Sequence, residues 1–322
     1  MKRKFMIIAL VVAASVMSSC EILDNDPDKH LKDEDTVYVS LDEVAAVLSN
    51  ISLGSAQLNE VHNAVSSSSG NGYDEEYTMR NLFTNPGTGI GETQVKSSVS
   101  YDRPLKDLIE EYLRAEPQVK SENAVDPDRF MKALTESDIQ IYWPYSENWD
   151  GEQMPVITFD PEDGAEANIG YRFTFDEEGF RSVEKVVVDE EFAASQPVWV
   201  VNRNSDAGYT TLEMLRKEDP EWGDGGGNVV VRPRTQSGEA KGKTQYRSLM
   251  LKEFTMKRNY DSWFSGGSEF FVKTGAVEDF YASTEAEMRL YSPTVTDFLV
   301  VVKRDQIGKP VPFNAILVSE WT

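Results

Sequence analysis

The chain has 322 residues and a formal net charge of −23 at pH 7, and hydrophobic residues make up 40% of it. This hydrophobic content is enough for one large core or two ordinary ones, so it excludes global disorder. The negative charge repels phosphate backbones and therefore argues against nucleic acid as a partner.

The first twenty residues, "MKRKFMIIALVVAASVMSSC", have the basic start, apolar run and small-residue end of a secretory signal. The apolar run covers residues 5–14, which is too short to span the roughly 30 Å core of a bilayer. We therefore expect residues 1–19 to be removed as a signal peptide. The sequence before Cys20 resembles the lipobox of bacterial lipoproteins, which implies that Cys20 carries palmitate or another acyl chain. The alternative is an ordinary secretory signal, in which the chain's one cysteine is retained by chance.

The segment after Cys20, "EILDNDPDKHLKDEDT", is acidic and has few residues that would pack in a core. It predicts a tether over residues 20–37. Together with the preceding "SSC" it resembles the start of Bacteroidota lipoproteins, and Glu21 stands where an aspartate would retain a lipoprotein in the inner membrane. The resemblance implies a lipid anchor in the outer membrane, on its periplasmic face or at the cell surface. The membrane is then a partner through the N-terminal lipid.

Residues 38–136 predict a small helical domain. In "SLDEVAAVLSNI", Ser40 begins a capping box and the apolar residues fall on one helical face. The next helix, "AQLNEVHNAV", carries His62 on its apolar stripe, where a packing role is favoured over a ligand role. Asp102 and Asp126 are placed to cap two further helices.

Strands replace helices after this point, and residues 137–228 predict a β-rich middle domain. The stretch "IGYRFTFDEEGFRSVEKVVVDEEF" alternates around "DEEG" and predicts a hairpin. Before it, "YWPYSENWDGE" places Tyr142, Trp143 and Trp149 close to Asp150. Flat rings with polar neighbours suit the stacking and hydrogen bonding of a sugar, so these four residues are candidate glycan contacts. Alternatively, the same rings pack the strands against the helical domain.

Residues 229–322 contain five short β-rich runs at even spacing, a pattern that favours an antiparallel sandwich. The stretch "LMLKEFTMKRNYDSWFSGGSEFFVKTG" resembles the first strand, loop and second strand of C2 domains. The resemblance implies a C2-like β-sandwich, with Asp261 and Glu269 where C2 domains bind Ca²⁺. The paired aspartates of a later C2 loop are absent here, and Ca²⁺ needs six to eight oxygen ligands. A structural turn is the alternative to a calcium site.

The pattern as a whole predicts an α+β protein with a small helical N-terminal domain followed by antiparallel β-sandwich regions. The chain has two histidines and none of the motifs HExxH, GxSxG or CxxC. We therefore favour a non-enzymatic binding or structural role, with a glycan or a protein as ligand. Two alternatives stay open. One is a carboxylate-dependent glycan hydrolase using residues near Glu147 and Asp150, and the other is a calcium-stabilised adhesive module.

Overall fold

The computed structural model describes residues 38–84, 101–115, 126–175, 178, 181–206, 209–224, 247–275 and 295–321. These residues form a mixed α+β structure, as the sequence predicts. They divide into two compact units. The sheet unit contains the described residues between 38 and 206 together with Asp261–Gly267, and the C-terminal unit contains those between 209 and 260 and between 268 and 321.

The described part of the sheet unit contains six helices and six strands. The helices are α1 (Leu41–Asn50), α2 (Ser55–Ser69), α3 (Met79–Phe83), α4 (Leu105–Arg114), α5 (Pro127–Glu136) and α6 (Glu190–Ser195). The strands are β1 (Glu76–Thr78), β2 (Ile139–Tyr142), β3 (Val156–Phe159), β4 (Ala167–Phe175), β5 (Arg181–Asp189) and β6 (Val198–Arg203). They form one sheet in the order β1-β2-β6-β3-β4-β5. The β3–β6 pair is parallel, and the other four pairs are antiparallel.

Helices and sheet share one core, so the predicted division into a helical domain and a β-rich domain near residue 137 does not hold. Apolar residues of α1, α2, α4 and α5 belong to the same buried cluster as Ile141, Ile157 and Trp199 of the sheet. The reason is that each amphipathic helix buries its stripe against another apolar surface, and here that surface is one face of the sheet. Strand β6 lies inside the sheet, with Val198, Trp199, Val200, Val201 and Asn202 all buried.

Three helix starts test the predicted caps. The carboxylate of Glu43 accepts a hydrogen bond from the backbone N–H of Ser40 at 3.0 Å, which confirms the capping box of α1. Asp126 accepts from the backbone N–H of Arg129 at 2.9 Å, which confirms the cap of α5. The prediction that Asp102 caps the third helix start, that of α4, is wrong.

Helix α4 begins at Leu105, with Pro104 rather than Asp102 in the N-cap position. Its first backbone N–H, that of Leu105, donates to Glu60 Oε2 of α2 at 2.6 Å. A carboxylate from another helix thus satisfies a donor that a local cap would otherwise take. Spacing along the sequence does not reveal such a partner.

The opposite face of the sheet is covered by α6 and by Asp261–Gly267. Trp263 and Phe264 form a 3₁₀ turn there and are buried with Val156 and Val200. This segment lies far along the chain from the rest of the sheet unit. Its two rings nevertheless complete the buried cluster on this face of the sheet. It therefore belongs to the sheet unit in packing.

The described part of the C-terminal unit contains α7 (Leu212–Glu218), β7 (Arg247–Phe254), β8 (Ser268–Gly275), β9 (Val295–Val302) and β10 (Val311–Trp321). Strands β7 and β10 form one antiparallel pair, and β8 and β9 form another. Their apolar residues share a core with Leu212 and Trp222. The remaining predicted strand, "EAEMRLYS", lies outside the described residues. Across the described ranges, no helix has the length and apolar character needed to cross a membrane.

Candidate functional site

Two of the aromatic residues predicted to contact a glycan are buried in the interior of the sheet unit. Tyr142 ends β2 and Trp143 follows it, and the two residues are 2% and 1% exposed. Successive strand residues point to opposite faces, so Tyr142 packs in the cluster that contains Trp263, while Trp143 packs among the helices. Rings buried in this way cannot stack on a sugar. The assignment of Tyr142 and Trp143 as ligand contacts is therefore wrong.

Trp149 is half-buried and packs against the rings of Trp143 and His62. Its ring centroid lies 5.1 Å from that of Trp143 and 5.1 Å from that of His62. Its Nε1–H donates to the backbone oxygen of Gln153 at 2.8 Å. The His62 ring packs against the rings of both Trp143 and Trp149, which confirms its packing role, and its Nε2 lies 3.1 Å from the carbonyl oxygen of Ser146. The aromatic density of this segment serves the contact between α2 and the loop after β2.

Asp150 is exposed, but its carboxylate closes a turn. Its Oδ1 accepts from the backbone N–H of Gln153 at 2.8 Å and from that of Glu152 at 2.9 Å. These two bonds, that of Gln153 first, lower the pKa of Asp150. A glycan hydrolase needs one carboxylic acid that keeps its proton until the leaving group takes it. Asp150 is held in the opposite state and does not suit that role.

The two predicted calcium ligands fall in different units. Asp261 begins the segment that packs in the sheet unit, whereas Glu269 lies on β8 of the C-terminal unit, opposite Val301 of β9. In the ranges that the structure describes, no group of three or more His, Cys, Asp or Glu residues is placed to hold a metal ion. The described residues thus supply no ligand set for Ca²⁺.

The Asp261–Gly267 segment instead has a structural role. The indole Nε1–H of Trp263 donates to the backbone oxygen of Glu166 at 2.9 Å. The side-chain amide of Asn202 donates to the backbone oxygen of Phe264 at 2.9 Å. The adjacent Trp and Phe within a polar loop were the sequence signal for this anchoring, because two such rings are rarely left in water.

Cys20, the predicted lipidation site, lies outside the described residues. Its role therefore stays a prediction.

Among the described residues of the sheet unit, those of the β4–β5 hairpin carry the most exposed apolar surface. The two strands pair along their whole length, from Ala167 opposite Asp189 to Phe175 opposite Arg181. Strand β5 ends the sheet and pairs with β4 alone among the described strands. Four apolar residues of the hairpin are exposed, by 38%, 38%, 63% and 68%: Ile169, Val183, Phe175 and Val187.

These four side chains project from one face of the hairpin. Ile169 lies directly opposite Val187, and Phe173, on the same face as Ile169, lies directly opposite Val183. Directly opposite residues share a face, as do alternate residues along one strand. Phe173 itself is buried in the core, so the exposed part of this face lies around it. An outer strand that exposes apolar side chains is a template for pairing with another strand. The hairpin is thus the candidate binding surface.

An open cavity of about 570 Å³ lies at the end of this hairpin, where Ala167 meets Asp189. Its lining includes four carboxylate residues: Glu166, Asp189, Glu190 and Glu191. Asp189 also caps α6, since its Oδ1 accepts from the backbone N–H of Phe192 at 2.8 Å. Asp189 of the lining is two positions after the exposed Val187 in the sequence. Because its lining is acidic, the cavity favours a positively charged group.

Comparisons with models of protein families, with curated proteins and with solved structures found no match for this chain.

Proposed function

We propose that this protein is a lipid-anchored lipoprotein of the bacterial outer membrane with a non-enzymatic binding role, and that its ligand is a protein that adds a strand to β5. The N-terminal resemblance to lipoproteins supports the anchor. The single observation that carries the binding role is the outer strand β5, whose two exposed apolar side chains, those of Val183 and Val187, lie on the same face. A protein ligand is favoured over a glycan because Tyr142 and Trp143 are buried.

The chemistry of β5 specifies the partner segment. An added strand gains affinity from backbone hydrogen bonds and specificity from the side chains that face its neighbour. Apolar residues of the partner strand would pack against Val183 and Val187. An acidic residue of the partner would pair with Lys185, which lies between them. Beyond Val187, a lysine or arginine of the partner strand would be attracted to the carboxylates of the acidic cavity.

Lys185 also supports the competing interpretation. Proteins protect outer strands with lysine, and Lys185 lies in the middle of β5, with its Nζ 6.0 Å from the centre of the Tyr171 ring. A protected edge binds no strand, whatever the strand's charge pattern. If β5 instead binds a strand, the strand should bind only when an acidic residue lies opposite Lys185. The two interpretations therefore predict different binding of strands that differ in their charges.

A pair of synthetic peptides tests the proposal on the purified full chain. The peptide KTVTETVT, paired antiparallel to β5, sets Lys opposite Asp189, Val opposite Val187 and Glu opposite Lys185. The peptide ETVTKTVT has the same composition with the two charges exchanged. We expect saturable binding of the first by fluorescence anisotropy and at least about tenfold weaker binding of the second, since each like-charge pair disfavours the complex.

Two variants locate the binding. Val187→Asp places a carboxylate on the apolar face and abolishes binding of KTVTETVT, whereas Met250→Asp, at an exposed apolar residue of β7, leaves it unchanged. Equal binding of the two peptides, or equal binding by the two variants, contradicts the proposal.

We also infer that the C-terminal unit is a C2-like β-sandwich. Its two antiparallel strand pairs support this, because Val272 of β8, Phe298 of β9 and Phe313 of β10 belong to one buried cluster. The segment that carries Asp261 is not part of this unit, so the proposed sandwich is one without that loop.

A further inference from the structure

Strand β5 itself contains the pattern that a strand pairing with β5 needs. Such a strand carries a basic residue opposite Asp189, an apolar residue opposite Val187 and an acidic residue opposite Lys185. Residues 185–189 of β5 read Lys-Val-Val-Val-Asp. When two copies of this stretch run antiparallel with Val187 opposite Val187, Lys185 of each copy lies opposite Asp189 of the other. The stretch is therefore complementary to itself in charge and in apolar character.

The side chains that make this match lie on one face of the hairpin. Lys185 and Val187 are exposed, Val187 by 68%, and Asp189 is half-buried. These three residues alternate along the strand and so project from the same face. Val186 and Val188 point to the opposite face, where they pack in the cluster that contains Trp263. A second copy therefore meets the three side chains without disturbing that cluster.

Asp189 can pair with a lysine while it caps α6. The cap engages Oδ1, which accepts from the backbone N–H of Phe192 at 2.8 Å. A carboxylate accepts hydrogen bonds at both of its oxygens. The lysine of a second copy can thus approach Asp189 with the helix start intact.

A different register, with Val183 opposite Val187, also brings apolar residues together, but its charges oppose it. It sets Lys185 directly opposite Lys185, and like charges in that position disfavour pairing. It further requires Arg181 to meet Asp189. Arg181 instead donates to the backbone oxygens of Ser49 and Asn50 at the end of α1, and its guanidinium lies 4.3 Å from the centre of the Phe173 ring. The register centred on Val187 avoids both conflicts.

We propose that the strand added to β5 is β5 of a second copy of this chain, in an antiparallel pair centred on Val187. This inference rests on the proposed function, because it names the protein that adds the strand. A two-fold axis passes between the two Val187 residues, and each outer strand covers the other. Pairing involves residues 185–189 of each copy, because α6 begins at Glu190. So short a pairing predicts a weak dimer that dilution separates.

Self-association of the full chain carrying Cys20→Ser tests the proposal, because this parent has no acyl chain at residue 20 to bring copies together. In sedimentation experiments up to about 0.3 mM, we expect the mean mass to rise with concentration towards that of two chains. Val187→Asp in this parent places two carboxylates on the two-fold axis and should keep the chain single. Met250→Asp, at an exposed apolar residue of β7, should associate as the parent does.

Two cysteine variants of the same parent test the register. Directly opposite residues have β-carbons about 4.5–5.5 Å apart, so Val187→Cys should form a disulfide between copies under mild oxidation. In Lys185→Cys the two cysteines lie four residues apart along the pair, at about 13 Å, and should not form one. The opposite outcome, a disulfide in Lys185→Cys alone, overturns the register centred on Val187.

A parent chain that stays single at every concentration overturns the inference, and so does a Val187→Asp variant that associates as strongly as its parent. The peptide KTVTETVT separates this failure from a failure of the proposed function, because the peptide and a second copy compete for the same edge. If the single chain binds the peptide, strand addition to β5 stands and only the second copy is excluded. If the single chain does not bind the peptide, both proposals fail.

Discussion

Trp143 lies between the helices and the sheet, with its ring centroid 5.5 Å from that of His62 and 5.6 Å from that of Trp199. The sequence shows the density of aromatic residues around it but not which of them face water. Both uses of such rings, sugar stacking and core packing, need the same residue types. The choice between them is made by helices distant in sequence, and so it appears only in the folded chain.

We expect Trp143→Ala to lower the free energy of unfolding by about 3–5 kcal/mol, because it leaves a cavity in a well-packed core. The measurement is urea unfolding of the purified protein at one fixed pH. Binding of the KTVTETVT peptide to the folded variant should be unchanged. A variant as stable as the wild type would mean that Trp143 is not a core residue.

At the scale of elements, local chemistry predicted some helix starts and missed others. The starts of α1 and α5 were predictable because Glu43 and Asp126 each bind backbone N–H groups within three residues. The start of α4 was not, since its partner, Glu60, is 45 residues away in sequence. The β4–β5 hairpin was predictable from its alternation, but its place at the edge of the sheet was not.

A matched pair of substitutions tests this difference. Asp126→Ala removes an observed cap and should cost about 1 kcal/mol of unfolding free energy, as N-cap losses typically do. Asp102→Ala removes an exposed aspartate that caps nothing in α4, and should change stability by less than about 0.5 kcal/mol. Chemical denaturation of the two variants side by side gives the answer. Equal losses would restore Asp102 as a cap.

For the whole molecule, the division into units departs from the order of the sequence. The hydrogen bond between Gly267 and Asp74 joins residues 193 positions apart, and it belongs to the sheet unit. Patterns read along the chain place Asp261–Gly267 with the strands that flank it. The burial of Trp263 and Phe264, together with this hydrogen bond, assigns the segment to the sheet unit.

The proposed anchor is also a property of the whole molecule. A chain with a net charge of −23 is repelled by anionic lipid headgroups, so we expect its attachment to a membrane to depend on the proposed acyl chains. Expressed from its full sequence in a Gram-negative host, the wild type should incorporate labelled palmitate and sediment with outer membranes. Cys20→Ser should do neither. Sedimentation of the Cys20→Ser protein with membranes would contradict lipid anchoring at this residue.

The binding claim is tested most directly by hydrogen exchange at β5 in the presence and absence of the KTVTETVT peptide. Alternate backbone amides of an edge strand point away from its neighbour, and an added strand pairs with them. We therefore expect saturating peptide to slow exchange at every second amide between Arg181 and Asp189, with little change on β7. Unchanged exchange along β5 would contradict strand addition.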